Sequence, residues 1–191
     1  MYEKFGQFID GNWTPSSNKE TYEVINPATE EVLGHASKAT SVDVDKALKS
    51  AEKGLQVWKK ITPWERSYIL RRIADKLREK KDVLAKWMTL ENGKPLAEGV
   101  GETNGAADIF EWNAEETKRI FGQTIESRFE DTRVHVYYQP VGVVAALSPW
   151  NFPLILAARK ISTALAAGCS VIIKPDTITP GVVMELVDIC R

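Results

Sequence analysis

Residues 141–174 constrain the fold of this chain more than any other stretch. Residues 141–147 read Val-Gly-Val-Val-Ala-Ala-Leu, a continuous apolar run. That is the pattern of a strand buried on both faces of a parallel sheet, not the alternation of a half-exposed one. A polar loop follows. Pro153 then opens a segment in which Leu154, Ile155, Ala158, Ile161, Leu165 and Ala166 recur at helical spacing, Gly168 closes it, and residues 170–174 form a second apolar run. Strand, crossover helix and strand in that order make a βαβ unit. Parallel strands need such a crossover because no hairpin can join them, so an α/β fold is predicted. A last helix is expected from Thr179-Pro180, with Val182, Val183, Leu186, Val187 and Cys190 on one face.

The rest of the chain supplies hairpins and helices around this unit. Residues 5–13, 22–25 and 31–36 read as strands, broken by Asp10-Gly11 and Asn26-Pro27. Ser41 is expected to cap a helix whose apolar face is Val44, Ala47, Leu48, Ala51, Leu55 and Trp58. Thr62-Pro63-Trp64-Glu65 has the form of a capping box with proline at the first helical position, and Ile69, Leu70, Ile73 and Leu77 continue it. After a bend at Lys80-Lys81-Asp82, the residues Val83, Leu84, Trp87 and Met88 form another apolar face. Lys94-Pro95 starts a further helix, expected to run to Gly122 as its C′ glycine. Gly99, Gly101 and Gly105 weaken it by up to ~1 kcal/mol each relative to alanine. In residues 125–139, Val134, Val136 and Tyr138 alternate with His135, Tyr137 and Gln139, which predicts one long half-exposed strand.

Composition excludes several kinds of partner. With 25 Lys+Arg against 26 Asp+Glu the net charge is −1, and the interleaved signs leave no basic footprint for nucleic acid or anionic lipid. No apolar run approaches the ~20 residues of a membrane span. The N-terminus has no basic start followed by an apolar run, so no secretory signal is expected. Two cysteines in 191 residues argue for a reducing, cytoplasmic setting and against a disulfide framework or cysteine-based metal site. His35 and His135 stand in strand-like contexts without metal-type neighbours. The expected partner is therefore a small molecule.

In open parallel sheets ligands bind beyond the carboxyl ends of the strands. There the sequence places Ser148-Pro149-Trp150-Asn151 after the first strand and Lys174-Pro175-Asp176-Thr177 after the second. The end of the second strand is where a dinucleotide fold reads the adenosine ribose, but the first turn lacks the G-x-G-x-x-G fingerprint. On spacing alone, nucleotide binding is one open reading. Asn151 could equally cap the helix that opens at Pro153, Trp150 could be a core aromatic, and Lys174 a solvated strand-end lysine.

The motifs themselves decide further. Pro140-Val141-Gly142-Val143-Val144, Ser148-Pro149-Trp150-Asn151-Phe152-Pro153, Ala166-Ala167-Gly168-Cys169, Lys174-Pro175 and Thr179-Pro180 together resemble the aldehyde dehydrogenase superfamily. Ile9-Asp10-Gly11-Asn12-Trp13, Asn26-Pro27-Ala28-Thr29, Trp64-Glu65-Arg66, Glu91-Asn92-Gly93-Lys94-Pro95 and Glu111-Trp112 stand in that family's order. Glu111-Trp112-Asn113-Ala114-Glu115-Glu116 with Arg159-Lys160 is most similar to its succinate-semialdehyde dehydrogenase branch.

The resemblance implies an incomplete Rossmann-like, doubly wound parallel sheet that binds NADP or NAD, preceded by β-hairpins and helices. Its domain would comprise residues 1–123 and 140–191, with 124–139 as an oligomerisation excursion of a homodimer or homotetramer and the catalytic domain absent. Asn151 matches the catalytic asparagine, whose amide donates to the oxygen on which charge develops, an effect of ~3 kcal/mol in the general case. Ser148, Pro149, Trp150 and Asn151 match the cofactor-contacting loop, and Lys174, with Pro175, Asp176 and Thr177, the ribose- or phosphate-binding segment. Many NAD-preferring members carry glutamate where Thr177 stands, which points towards NADP, although Asp176 restores a negative charge beside it. Arg159 matches the arginine that grips the substrate's distal carboxylate, a bidentate match lysine could not reproduce; a surface arginine is the alternative. Asn113 stands where relatives carry an aromatic residue.

No metal is implied. The family's nucleophilic cysteine, general-base glutamate and second glycine-rich segment fall beyond Arg191 in its order, and neither Cys169 nor Cys190 has the nucleophile's surroundings. The chain alone is therefore expected to be inactive, the alternative being a non-catalytic nucleotide-binding or interaction protein on the same scaffold.

Overall fold

The structure, a computed structural model, describes residues 2–191. Strands β1 (Gln7–Ile9) and β2 (Asn12–Thr14) form a hairpin, as do β3 (Thr21–Ile25) and β4 (Val32–Ser37). Asp10 and Gly11 turn the first hairpin with φ of 53° and 81°, the left-handed conformations its short turn needs. The break read at Asp10-Gly11 within residues 5–13 is thus the turn of this hairpin.

Helix α1 (Ser41–Trp58) is capped by Thr40, not Ser41: the Thr40 side chain accepts from the Asp43 N–H, and the Asp43 carboxylate accepts in return from the Thr40 N–H. Those bonds hold the Asp43 carboxyl well below the usual carboxylate range. Thr62 and Glu65 form the expected capping box at the start of α2 (Pro63–Glu79). Helix α3 (Lys81–Asn92) follows directly and ends at Gly93, whose φ of 74° closes it in the left-handed region.

Helix α4 (Leu96–Glu116) lies between α2, α3 and α5 (Pro153–Ala166) and is the centre of the core, with Ala106, Ala107, Phe110 and Ala114 fully buried. Its glycines are partly explained by this position. A Cβ on Gly99 would lie 3.0 Å from the Ala85 Cα, so this residue lets α4 approach α3 closely. The helix stops at Glu116 and continues as a 3-10 turn, Thr117–Arg119. Gly122 is therefore not its C′ residue. A Cβ there would sit 2.3 Å from the Val136 carbonyl oxygen, so glycine is required for the strand crossing that follows.

That crossing is β5 (Gln123–Glu126) against β6 (Arg133–Val136), antiparallel. The single long strand expected over 125–139 is a hairpin because residues 127–132 turn the chain. The parallel pair is present as predicted: β7 (Val143–Leu147) runs beside β8 (Ser170–Lys174), joined through α5. Both α1 and α5 pack on this pair, and α6 (Pro180–Cys190) packs on α3 and α5. Strand β7 is only partly buried in these surroundings, with Leu147 66% exposed, whereas its sequence is that of a strand covered on both faces. Gly168, at φ 84°, ends α5 with the Cys169 N–H returning to the Ala164 carbonyl. Among the described residues no helix is long and apolar enough to cross a membrane.

Candidate active site

The two polar clusters meet at the carboxyl ends of β7 and β8. Leu147 pairs with Lys174, and the Ser148 N–H donates to the Lys174 carbonyl at 3.1 Å, so both loops leave the sheet side by side. Ser148 is buried and its Oγ donates to the Pro153 carbonyl at 3.2 Å, tying the loop to the first turn of α5. Pro149, Trp150 and Asn151 are exposed. Trp150 is 51% exposed and so is not a core aromatic.

This loop is held by its backbone. The Asn92 amide donates to the Trp150 carbonyl at 3.0 Å, and Lys94 Nζ donates to the Asn151 carbonyl at 3.0 Å. Lys94 is also ion-paired with Glu102 and stands 4.0 Å from the centre of the Phe152 ring. Both partners are almost wholly buried, their side chains 6% and 2% exposed.

Neither Asn151 nor Phe152 caps α5 with its side chain. Instead the Leu154 and Ile155 N–H groups donate to Glu102 Oε1 at 2.9 and 3.1 Å, so a carboxylate from α4 meets the positive end of the α5 dipole. The next helix repeats the device. The Gly181 and Val182 N–H groups at the start of α6 donate to Glu91 Oε1 and Oε2 at 2.7 and 3.1 Å, and the Tyr2 hydroxyl donates to the same carboxylate. Glu91 has no cation among its partners in the described residues, and burial pushes its carboxyl up to about 7 against the opposing pull of these three donors. A Cβ on Gly181 would lie 2.6 Å from Glu91 Oε1 and 2.2 Å from Trp87 Cζ3, so only glycine admits this approach.

At the end of β8, Lys174 is exposed and its Nζ donates to the Pro175 carbonyl at 2.9 Å. Pro175 is half-buried and Thr177 exposed. Asp176 Oδ1 accepts from the Ile178 N–H at 3.0 Å, which commits part of its charge to its own turn. Arg159 lies apart from both loops: exposed, two turns into α5, about 9 Å along the axis from Pro153. One turn further, Asn113 Nδ2 donates to Ser162 Oγ at 3.0 Å, so Asn113 joins α4 to α5 rather than standing free.

Neither cysteine is placed to act as a nucleophile. Cys169 is 2% exposed, and burial pushes the Cys190 thiol up to about 12, where little nucleophile exists near neutral pH.

Glu91, Lys94 and Glu102 carry no role that the sequence motifs assign. Two of them carried a signal, because Glu91 follows Leu84, Trp87 and Met88 at helical spacing and Glu102 shares a face with Gly99, Ala106 and Phe110. A charge on an apolar helix face must find partners there. The partners, being backbone amides of other helices, left no mark in the sequence.

Comparison with known proteins now settles the family. The aldehyde dehydrogenase family pattern matches residues 13–191. The chain belongs to the aldehyde dehydrogenase family. It is 45% identical over 184 residues to glutarate-semialdehyde dehydrogenase of Pseudomonas putida, covering 96% of this chain and 38% of that protein. It is 43% identical over 181 residues to the NADP(+) succinate-semialdehyde dehydrogenase of Escherichia coli, covering 95% and 38%. The solved succinate-semialdehyde dehydrogenase of Burkholderia pseudomallei superposes with a TM-score of 0.96 at 39% identity, over 97% of this chain and 39% of that one. The chain thus spans about 38% of the length of these curated relatives. The α/β architecture read from its βαβ unit is that of the aldehyde dehydrogenases.

Proposed function

We propose that this chain is the cofactor-facing part of an NAD(P)-dependent dehydrogenase that oxidises an ω-semialdehyde, succinate or glutarate semialdehyde, to the dicarboxylic acid. The observation that carries the reading is the juxtaposition of exposed Asn151 and exposed Lys174 at adjacent strand ends, the Asn151 backbone being held by Lys94. The alternative for Asn151 as a helix cap loses its purpose because Glu102 fills that role.

The residues suit a dinucleotide. Lys174 offers a cation at the strand end where an adenosine ribose and its phosphate lie, and Ser148, Pro149 and Trp150 border the crevice beside it. Pro175, Asp176 and Thr177 complete that edge. A nicotinamide bound there would supply the hydride acceptor for oxidation of the aldehyde. The Asn151 amide donates to the former carbonyl oxygen as charge builds on it, the kind of fixed donor that stabilises a transition state rather than a ground state. Arg159 receives the distal carboxylate. The nucleophile is assigned outside these residues, since Cys169 and Cys190 are unsuited to the task; the 191-residue chain alone is expected to be inert. The β5–β6 hairpin, with exposed Ile125, Val134, Tyr137 and Tyr138 on and beside it, is assigned to oligomerisation.

The test is oxidation of succinate and glutarate semialdehydes by the full-length protein with NAD+ or NADP+, followed as reduced cofactor. Absence of turnover with any aldehyde would leave a non-catalytic binding protein. In the active protein, Arg159→Ala should raise KM for these acid-aldehydes about tenfold or more and leave uncharged aldehydes unaffected. Equal losses on both substrates would remove Arg159 from the substrate site.

A further inference from the structure

We propose that the buried Lys94–Glu102 pair is a positioning device for Asn151. It fixes the amide donor by holding that residue's backbone from one side and the following helix from the other. The inference rests on the reading of Asn151 as the donor to the reacting oxygen.

The geometry is specific. Asn151 sits between β7 and α5, in a loop whose side chains are mostly exposed. Its position is therefore set by whatever grips the main chain. Lys94 Nζ donates to its carbonyl, and Glu102 Oε1 accepts both N–H groups of the α5 first turn, at Leu154 and Ile155. The two gripping groups are joined to each other by the ion pair, and Lys94 also covers the Phe152 ring between them. Residues 151–155 are thus held on one buried charge pair. Lys94 follows Gly93 in the short link between α3 and α4, while Glu102 stands on α4, so the pair transmits the rigidity of the helical layer to the loop.

A stability role alone would not need this arrangement. A neutral acceptor at position 102 would satisfy the same two N–H groups, and burying a lysine costs desolvation that a methionine there avoids. The charged pair adds a donor aimed at the Asn151 carbonyl. Small displacements of a transition-state donor are expensive, since about 1 Å can cost on the order of a hundredfold in rate.

The double variant Lys94→Met/Glu102→Gln isolates this function. It leaves no unpaired buried charge and keeps an acceptor for Leu154 and Ile155, but removes the donor to Asn151. In the full-length enzyme, kcat should fall ten- to a hundredfold with KM for the aldehyde little changed. In an Asn151→Ala background the same two substitutions should have no further effect, because their influence runs through that amide. Amide hydrogen exchange should rise in residues 149–155 and stay unchanged in α2. An undiminished kcat, an equal loss in the Asn151→Ala background or unaltered exchange in 149–155 would each overturn the proposal. Those outcomes leave the activity itself standing, whereas an inactive parent protein sinks the functional reading.

Discussion

Helices α5 and α6 begin alike and are stabilised differently. Each opens with a proline after a residue that supplies no side-chain cap, and each has its first free N–H groups taken up by a buried glutamate from the layer of α3 and α4. At α5 that glutamate is Glu102, neutralised by Lys94. At α6 it is Glu91, whose partners among the described residues are two backbone amides and the Tyr2 hydroxyl, with no cation. The difference falls where the proposed chemistry differs. The loop before α5 carries Asn151, the proposed donor to the reacting oxygen, and is bound to a fixed ion pair. The loop before α6 carries the proposed cofactor grip, Lys174, and leads into a helix start that rests on a carboxyl able to take up a proton near neutral pH.

Removing each carboxylate separates the two arrangements most strongly. Glu102→Ala strips Lys94 of its counter-charge in a nearly dry site, for which about 3–5 kcal/mol of stability is the expected loss. Glu91→Ala leaves two amides and a hydroxyl without acceptors but no orphaned charge, and should cost about 2 kcal/mol. Denaturant unfolding of the full-length protein measures both. A larger loss at Glu91 than at Glu102 would show that the ion pair at α5 is not what holds it.

Proton uptake gives a second contrast. An ordinary glutamate sits near 4.5, and burial raises Glu91 in the folded protein to about 7. The unfolded chain therefore releases this proton first as pH rises. The pH-dependent part of the stability that the group contributes is complete below about 4.5, declines through the interval, and is lost above about 7, a change of about 3 kcal/mol. Wild type minus Glu91→Gln, taken across that interval, should show this decline. Were the difference flat, the three donors would be holding Glu91 ionised throughout.

The sequence showed the βαβ unit and its two ligand-facing loops clearly, because a continuous apolar run, a crossover stripe and a second run admit few other arrangements. It was equally clear where local chemistry governs, as at Thr62–Glu65. It failed where a long-range contact decides. Gly122 looked like a helix terminus, yet what demands glycine there is the Val136 carbonyl. Residues 127–132 looked extended because the flanking alternation is that of a strand, and nothing in the period marks the turn. The grips on Asn151 were hidden for the same reason: Lys94 and Glu102 act on backbone groups some fifty residues away.

The smallest effect concerns the cofactor end of the comparison. Thr177 is neutral and exposed. Asp176 beside it commits one carboxylate oxygen to the Ile178 N–H, and position 177 itself adds no carboxylate beside the ribose 2′-phosphate that Lys174 is proposed to hold. Thr177→Glu introduces such a charge. In an exposed, screened crevice it is worth roughly 1 kcal/mol against a phosphate, so kcat/KM for NADP+ should fall about fivefold while that for NAD+ stays within a factor of two. Because the substituted residue lies after β8, the change should leave kcat at saturating NAD+ untouched, and with it the donor at the end of β7. A fall in kcat at saturating NAD+ would mean that the two strand ends are coupled, and that the separate anchoring of their helices does not isolate one from the other.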